Sequence, residues 1–291
     1  MSFFLITILT IVLAFGIYRA NKNTHNVVMN RIDVNACLNK TDNPNSPTLN
    51  ILHLSDIHLE NLSISPDTLY EKLQNEKIDL IALTGDFLDR RRSIPKLVPY
   101  LQVLNKLQVE HGMYAIFGNH DYVLKNERFE ELKKTLEDNG CITMQNENAS
   151  ILIDGNKLNI IGIDDFSTKR SDIEKSYENI KGGYNLVLTH DPNIVLHLDN
   201  YHFDYLLSGH FHGGQIHWPR PYHLAKMGKL ARLNIIKGFH ERNGKPYYIS
   251  EGLGQTGVNI RVGSLPEITI HKVNIFCTEQ LVIHTEMKRA Q

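Results

Sequence analysis

The stretch "LLSGHFHGGQIHWP", Leu206 to Pro219, carries an apolar run straight into His210 and His212, with Gly209, Gly213 and Gly214 around them. A His-x-His pair alone is usually an incidental surface feature, so its meaning depends on the rest of the chain. Here the pair stands where a strand should stop. Glycines beside such residues let backbone and ligand approach closely.

Four other short apolar runs end in the same way. Asn50–Asp56 (NILHLSD) leads into Asp56-Ile57-His58, and Asp79–Asp86 (DLIALTGD) ends in Gly85-Asp86. Gly112–Asp121 (GMYAIFGNHD) ends in Asn119-His120-Asp121, and Tyr184–His190 (YNLVLTH) ends in His190. Each run is rich in Ile, Leu, Val or Tyr, as buried strands are. Helical patterns over Pro66–Asn75 and Glu127–Asp138 lie between them. Strands alternating with helices pair largely in parallel, which gathers the strand C-termini at one edge. The polar tips then converge. Carboxylate and imidazole together favour manganese, iron or zinc over calcium or magnesium. Two such ions, with Asp56 and Asp86 supplying only two negative charges, leave a cationic centre that attracts a phosphate ester. His210 and His212 can then address different ions from one turn.

The motifs Asp56-x-His58, Gly85-Asp86, Gly118-Asn119-His120-Asp121, the lone His190 and Gly209-His210-x-His212 together resemble the calcineurin-like metallophosphoesterase family. The tail EGLGQTGVNIRVGSLPEITIHKV (Glu251–Val273) and GHFHGGQ (Gly209–Gln215) are similar to its membrane-linked subgroup, which includes bacterial phosphodiesterases and UDP-2,3-diacylglucosamine hydrolase-like proteins. The resemblance implies an α/β (α+β) fold, a two-sheet β-sandwich flanked by helices. It implies two divalent ions, manganese foremost, with iron or zinc as alternatives. The first would be held by Asp56, His58, Asp86 and His212, the second by Asp86, Asn119, His190 and His210, with Asp86 bridging. His120 would be the non-ligand acid that protonates the leaving group, and Asp121 would orient it. The expected reaction is attack of metal-bound hydroxide on a phosphodiester or pyrophosphate, including lipid-linked ones. The rivals are a soluble-substrate phosphodiesterase, a phosphoprotein phosphatase and a non-catalytic scaffold. The scaffold is opposed by the presence of every motif residue.

At the N-terminus, Phe3–Tyr18 is uncharged and is followed by Arg19 and Lys22. A span needs about 20 apolar residues, so residues 1–20 read as a transmembrane anchor, with a cleaved signal peptide as the rival. The basic residues Arg19, Lys22 and Arg31 lean toward a cytoplasmic catalytic domain. Residues 21–49 read as a linker, 50–275 as the catalytic domain and 276–291 as a C-terminal tail. With 31 basic and 32 acidic residues the net charge is −1, which excludes a broad nucleic-acid surface. Nothing implies a protein partner. Cys37, Cys141 and Cys277 are odd in number and far apart, so they form no disulfide framework.

Other features read mainly as structural. Arg90–Arg92 suggest a solvated loop or a phosphate contact, with Asp89 bracing it, and Asp164-Asp165 end another strand. His217 and Trp218 are candidates for a pocket rim, whereas His53, His197, His202 and His223 fit no motif. Arg261 and Glu267 suggest loop anchoring.

Overall fold

The computed structural model describes residues 2–38 and 47–275. The expected tail 276–291, residues 39–46 of the expected linker and Cys277 lie outside them. The chain opens with α1 (Ser2–Asn23), β1 (Val28–Asp33), α2 (Val34–Cys37) and β2 (Thr48–Leu54). There follow α3 (Pro66–Leu73), β3 (Leu80–Thr84), α4 (Ile94–Asn105), β4 (Met113–Ile116), α5 (Glu127–Asp138) and β5 (Cys141–Thr143). The second half runs β6 (Glu147–Ile153), β7 (Asn156–Gly162), α6 (Ile173–Ser176), β8 (Tyr184–Leu188) and β9 (Tyr205–Ser208). It ends with α7 (Lys229–Arg232), β10 (Gly238–Arg242), β11 (Lys245–Ile249) and β12 (Glu267–Asn274).

These strands form two six-stranded mixed sheets, ordered β1-β12-β2-β3-β4-β5 and β10-β11-β9-β8-β7-β6. The all-buried strands β3, β4, β8 and β9 pair in parallel with their neighbours within each half, as their unbroken apolar runs require. On β2, successive residues face opposite sides. Ile51 joins a core between the sheets with Leu80, Tyr114, Leu186 and Leu207. Leu52 and Leu54 instead pack outward with Leu69 of α3, Leu97 of α4 and Leu132 of α5. A third core, including Val187, Leu206 and Leu230, covers the far side of the second sheet. The helices begin where local chemistry favours it: Ser65 caps α3 by accepting from Thr68 N, and Pro66 follows it.

One expectation is corrected at the N-terminal side. Residues 28–33, given above to the linker, form an edge strand paired in parallel with β12 from Val28↔Glu267 to Asp33↔Lys272. β12 is itself antiparallel to β2 and lies between β1 and β2 in the sheet. The half-exposed sequence VMNRID has the mixed polarity of an edge strand, which is why it reads as linker. The apolar α1 packs little of its length against the protein, but its C-terminal end is fastened. Arg261 N donates to Ala20 O at 2.8 Å, and the amide groups of Asn21 and Asn23 donate to Asn259 O and Arg261 O.

Candidate metal centre

The ends of β2, β3 and β4 in one sheet and of β8 and β9 in the other meet across the sandwich. The turns that follow are tight. Asp56, His58, Asp86, His210 and His212 all have positive φ, between 40° and 76°, which side chains other than glycine seldom adopt. Such strain persists only where surrounding contacts over-determine it, and it gathers at functional sites. The contacts are visible: Asp56 N donates to Gly85 O at 3.0 Å and His58 N to Asp86 O at 3.0 Å. A Cβ on Gly118 or Gly209 would collide with the carboxylates of Asp86 and Asp56 respectively, so only glycine fits there.

Three groups of donor atoms result among the described residues: two buried ones, Asp56–His58–His212 and Asp86–His190–His210, and a partly exposed one, His58–Asp89–His120. In the first, His212 Nε2 lies 3.2 Å from His58 Nε2 and 3.3 Å from Asp56 Oδ1. In the second, His210 Nδ1 lies 3.2 Å from His190 Nε2. A single oxygen, Asp86 Oδ2, joins the clusters, at 3.5 Å from His58 Nε2 and 3.2 Å from His190 Nε2. The other, Oδ1, accepts the His120 backbone N–H at 2.8 Å. The outer nitrogens are tied down: His190 Nδ1 donates to Thr84 O at 2.7 Å, and His58 Nδ1 faces Asp89 Oδ1 at 3.1 Å. Fixing one ring nitrogen in this way aims the other inward as a lone pair. Asn119 Oδ1 is buried without a hydrogen-bond partner and supplies a further oxygen.

This donor set fits divalent cations: buried imidazoles in near contact with one another and with carboxylates, and an orphaned amide oxygen. Burial disfavours charge on His58, yet its hydrogen bonds to Asp86 and Asp89 push its pKa up to about 10. Burial likewise opposes charge on His190, but Asp86 holds its pKa well above the usual range. Burial pushes His212 down to about 3 and His210 down as well. Protons and cations therefore compete for this centre.

His120 lies outside the two buried groups, its ring 4.8 Å from that of His58, and is one-third exposed with its Nδ1 2.8 Å from Asp89 Oδ1. Burial alone would lower its pKa, but the bond to Asp89, with the charge of Asp86, raises it. This corrects the expected role of Asp121. That carboxylate is wholly buried and accepts backbone N–H groups from Asp86 (2.8 Å), Phe87 (2.8 Å) and Gly118 (2.9 Å). It braces the Gly85–Asp86 turn, while Asp89 orients His120.

A cavity of about 370 Å³ opens on Asp86, Asn119, His120, His210 and His212, with Phe211, Ile216, Leu224, Met227 and Val258 as apolar wall. His223, Gln215, Thr256 and Gly257 also line it; Gln215, Thr256 and Gly257 fall in the segments quoted for the subgroup resemblance, whereas His223 fits no motif. His217 and Trp218 do not line this cavity; Ile216 takes that place. Arg90–Arg92 are exposed and line none of it, and Arg91 pairs with Glu131 at 2.7 Å. Asp164 accepts from Tyr122 Oη, and Asp165 holds the turn to Thr168, both structural. Buried Arg261 donates to the carbonyls of His212 (3.4 Å), Glu251 (2.7 Å), Gly252 (3.0 Å) and Gly254 (2.6 Å), which anchors the loop after β11 beside the centre.

Two sheets whose strand ends converge on paired His/Asp clusters define a class that sequence comparison confirms. The chain belongs to the calcineurin-like phosphoesterase family, whose model matches residues 49–214, and it is a phosphoester hydrolase. It is similar to the Bacillus subtilis metallophosphoesterase YkoQ, 61% identical over 257 residues covering 88% of this chain and 94% of that one. The B. subtilis metallophosphoesterase YkuE is 29% identical over 76% of this chain and 77% of its own length. The UDP-2,3-diacylglucosamine pyrophosphatase LpxG of Chlamydia trachomatis is 24% identical, covering 76% and 82%.

Proposed function

We propose that this chain is a two-metal hydrolase of phosphodiester or pyrophosphate bonds, held to a membrane by α1 and acting on lipid-linked substrates. The observation that carries the reading is Asp86 Oδ2, shared between two imidazole-bearing clusters. Asp56, His58 and His212 would hold one ion, Asn119, His190 and His210 the other, with Asp86 common to both. When bound, the ions supply Lewis-acid charge at the phosphoryl oxygens and lower the pKa of water, with manganese the first candidate and iron or zinc next. The chain's own contribution is positional. Asp89 holds His120 on Nδ1, which leaves Nε2 to deliver a proton to the departing oxygen. The apolar wall of the cavity excludes water and receives an apolar leaving group.

Two further observations support the lipid reading. α1 contains an 18-residue window of mean hydropathy 2.1 that is only 6% buried, as a membrane anchor would be. Arg19 and Lys22 at its C-terminal end favour the cytoplasmic side for the domain. The pyrophosphatase LpxG acts on a diacylated nucleotide sugar, a substrate of the same chemistry. The test is elemental analysis of manganese-loaded protein beside hydrolysis of bis-nitrophenyl phosphate, a phosphopeptide and a nucleotide-diphosphate lipid. Two ions per chain, both lost in Asp86→Ala, and preference for the lipid are expected. Full activity in metal-stripped protein would overturn the mechanism, and preference for the phosphopeptide would overturn the lipid substrate.

A further inference from the structure

We infer that the segment Ile216–Leu233, together with Val258, is a docking surface for an anionic phospholipid bilayer and holds the mouth of the cavity against it. The surface is apolar where it is most exposed. Trp218 is 77% exposed, Tyr222 70%, Leu233 59% and Val258 56%. Exposed aromatic and aliphatic side chains cost free energy in water and gain it at a lipid interface.

Its charge has one sign. From Gly213 to His240 there is no aspartate or glutamate, although the whole chain has 32 acidic residues against 31 basic. Arg220, Lys226, Lys229 and Arg232 are exposed, and none of them forms an ion pair among the described residues. Apolar anchors among unpaired cations match the anionic headgroup layer, where each Lys or Arg strengthens binding about five-fold.

The place is also right. Asn259 and Arg261 receive the C-terminal end of α1, and the next residue, Val262, pairs with the patch: Val262 N donates to Gln215 O at 2.8 Å and His217 N to Val262 O at 2.7 Å. The patch therefore adjoins the point where α1 meets the domain, and the inference rests on the reading of α1 as an anchor. Ile216 and Val258 of the patch also line the cavity that leads to Asp86 and His120. A phosphate ester with an apolar tail reaches the centre from the bilayer without crossing bulk water.

Trp218 is the chain's single tryptophan, so its emission reports this surface alone. The full-length protein is mixed or reconstituted with vesicles of phosphatidylglycerol or of phosphatidylcholine, each carrying brominated acyl chains. In the anionic vesicles Trp218 emission should shift to the blue and be quenched. Phosphatidylcholine, or the double variant Lys226→Glu with Arg232→Glu, should remove most of that quenching while hydrolysis of a water-soluble nitrophenyl ester stays unchanged. Unquenched emission in anionic vesicles, or equal quenching in both lipids, overturns the docking surface. Carbonate-resistant flotation is read in parallel and reports α1 separately: protein that floats with Trp218 unquenched keeps its anchor and loses this inference.

Discussion

Replacing Asp121 with asparagine separates a bracing role from a catalytic one. Oδ2 of Asp121 accepts from Asp86 N and Gly118 N, and Oδ1 accepts from Phe87 N, with Leu88 N at 3.4 Å. An asparagine amide must turn its NH2 toward one of these pairs. The cheaper orientation strands the Phe87 N–H, at about 1–3 kcal/mol for a buried donor without an acceptor. Asp121→Ala strands three close donors, at about 3–9 kcal/mol, comparable with the total stability of a domain. Melting should be followed in detergent with a chelator present, so that ion binding adds nothing to the folded state. The asparagine variant should melt about 2–12 °C lower, and its loss of activity should be similar for all esters because the Asp86 turn is displaced. An unchanged melt, with a loss confined to esters that have poor alkoxide leaving groups, would refute the argument and return Asp121 to His120.

The same comparison of leaving groups tests Asp89. Asp89→Asn should cost about 10–100-fold on an alkyl ester and much less on a nitrophenyl ester, which departs without a proton; because Asp89 Oδ1 also faces His58 Nδ1, equal losses on both with metal content intact would remove the positioning role. Gly209→Ala drives a Cβ into Ser55 Oγ and the Asp56 carboxylate, so bound manganese per chain should fall and stability drop by about 1–3 kcal/mol. Intact metal content would show that the turn can yield. Glu267 gives a pH dependence: burial, with Glu251 nearby, raises its pKa from 4.5 to about 7. Its neutral form is favoured on folding, so its stabilisation is complete below about pH 4.5 and lost as pH rises through about 7. Glu267→Gln should therefore raise stability at pH 8, by at most about 3 kcal/mol, and leave it unchanged at pH 4. Denaturant titration at the two pH values reads this directly.

The site was largely legible because its residues interrupt an apolar pattern. Asp56, Asp86, His190 and His210 stand at the ends of buried runs, and a polar residue there needs a reason. The helices over Pro66–Leu73 and Glu127–Asp138 were legible for the converse reason, their apolar spacing being regular. The edge strand Val28–Asp33 was hidden, since its partner Glu267–Asn274 lies more than two hundred residues away and neither end carries a turn signal to the other. The orienting role that the resemblance implied for Asp121 falls to Asp89, which the sequence suggested only as a brace for the Arg90–Arg92 loop. After a tight turn, the residue beside His120 points into backbone amides, and a residue from the preceding loop reaches the ring. Backbone strain left only indirect marks, in the glycines at 85, 118 and 209.

On the proposed anchoring by α1, its fastening to the domain sets what kind of attachment it would be. A flexible leash lets a catalytic domain roam a hemisphere and sample substrate at many angles. Here Arg261 joins the two ends of the problem: its backbone holds Ala20 and Asn23, while its side chain grips the carbonyl of His212. As the proposed anchor, the helix would be a stalk, and the centre would keep a fixed height and heading with respect to it. Encounters are then governed by how substrate diffuses in the plane around the stalk. For the proposed lipid-linked substrate, turnover should follow its surface fraction within the sheet of lipid rather than its concentration in the surrounding volume.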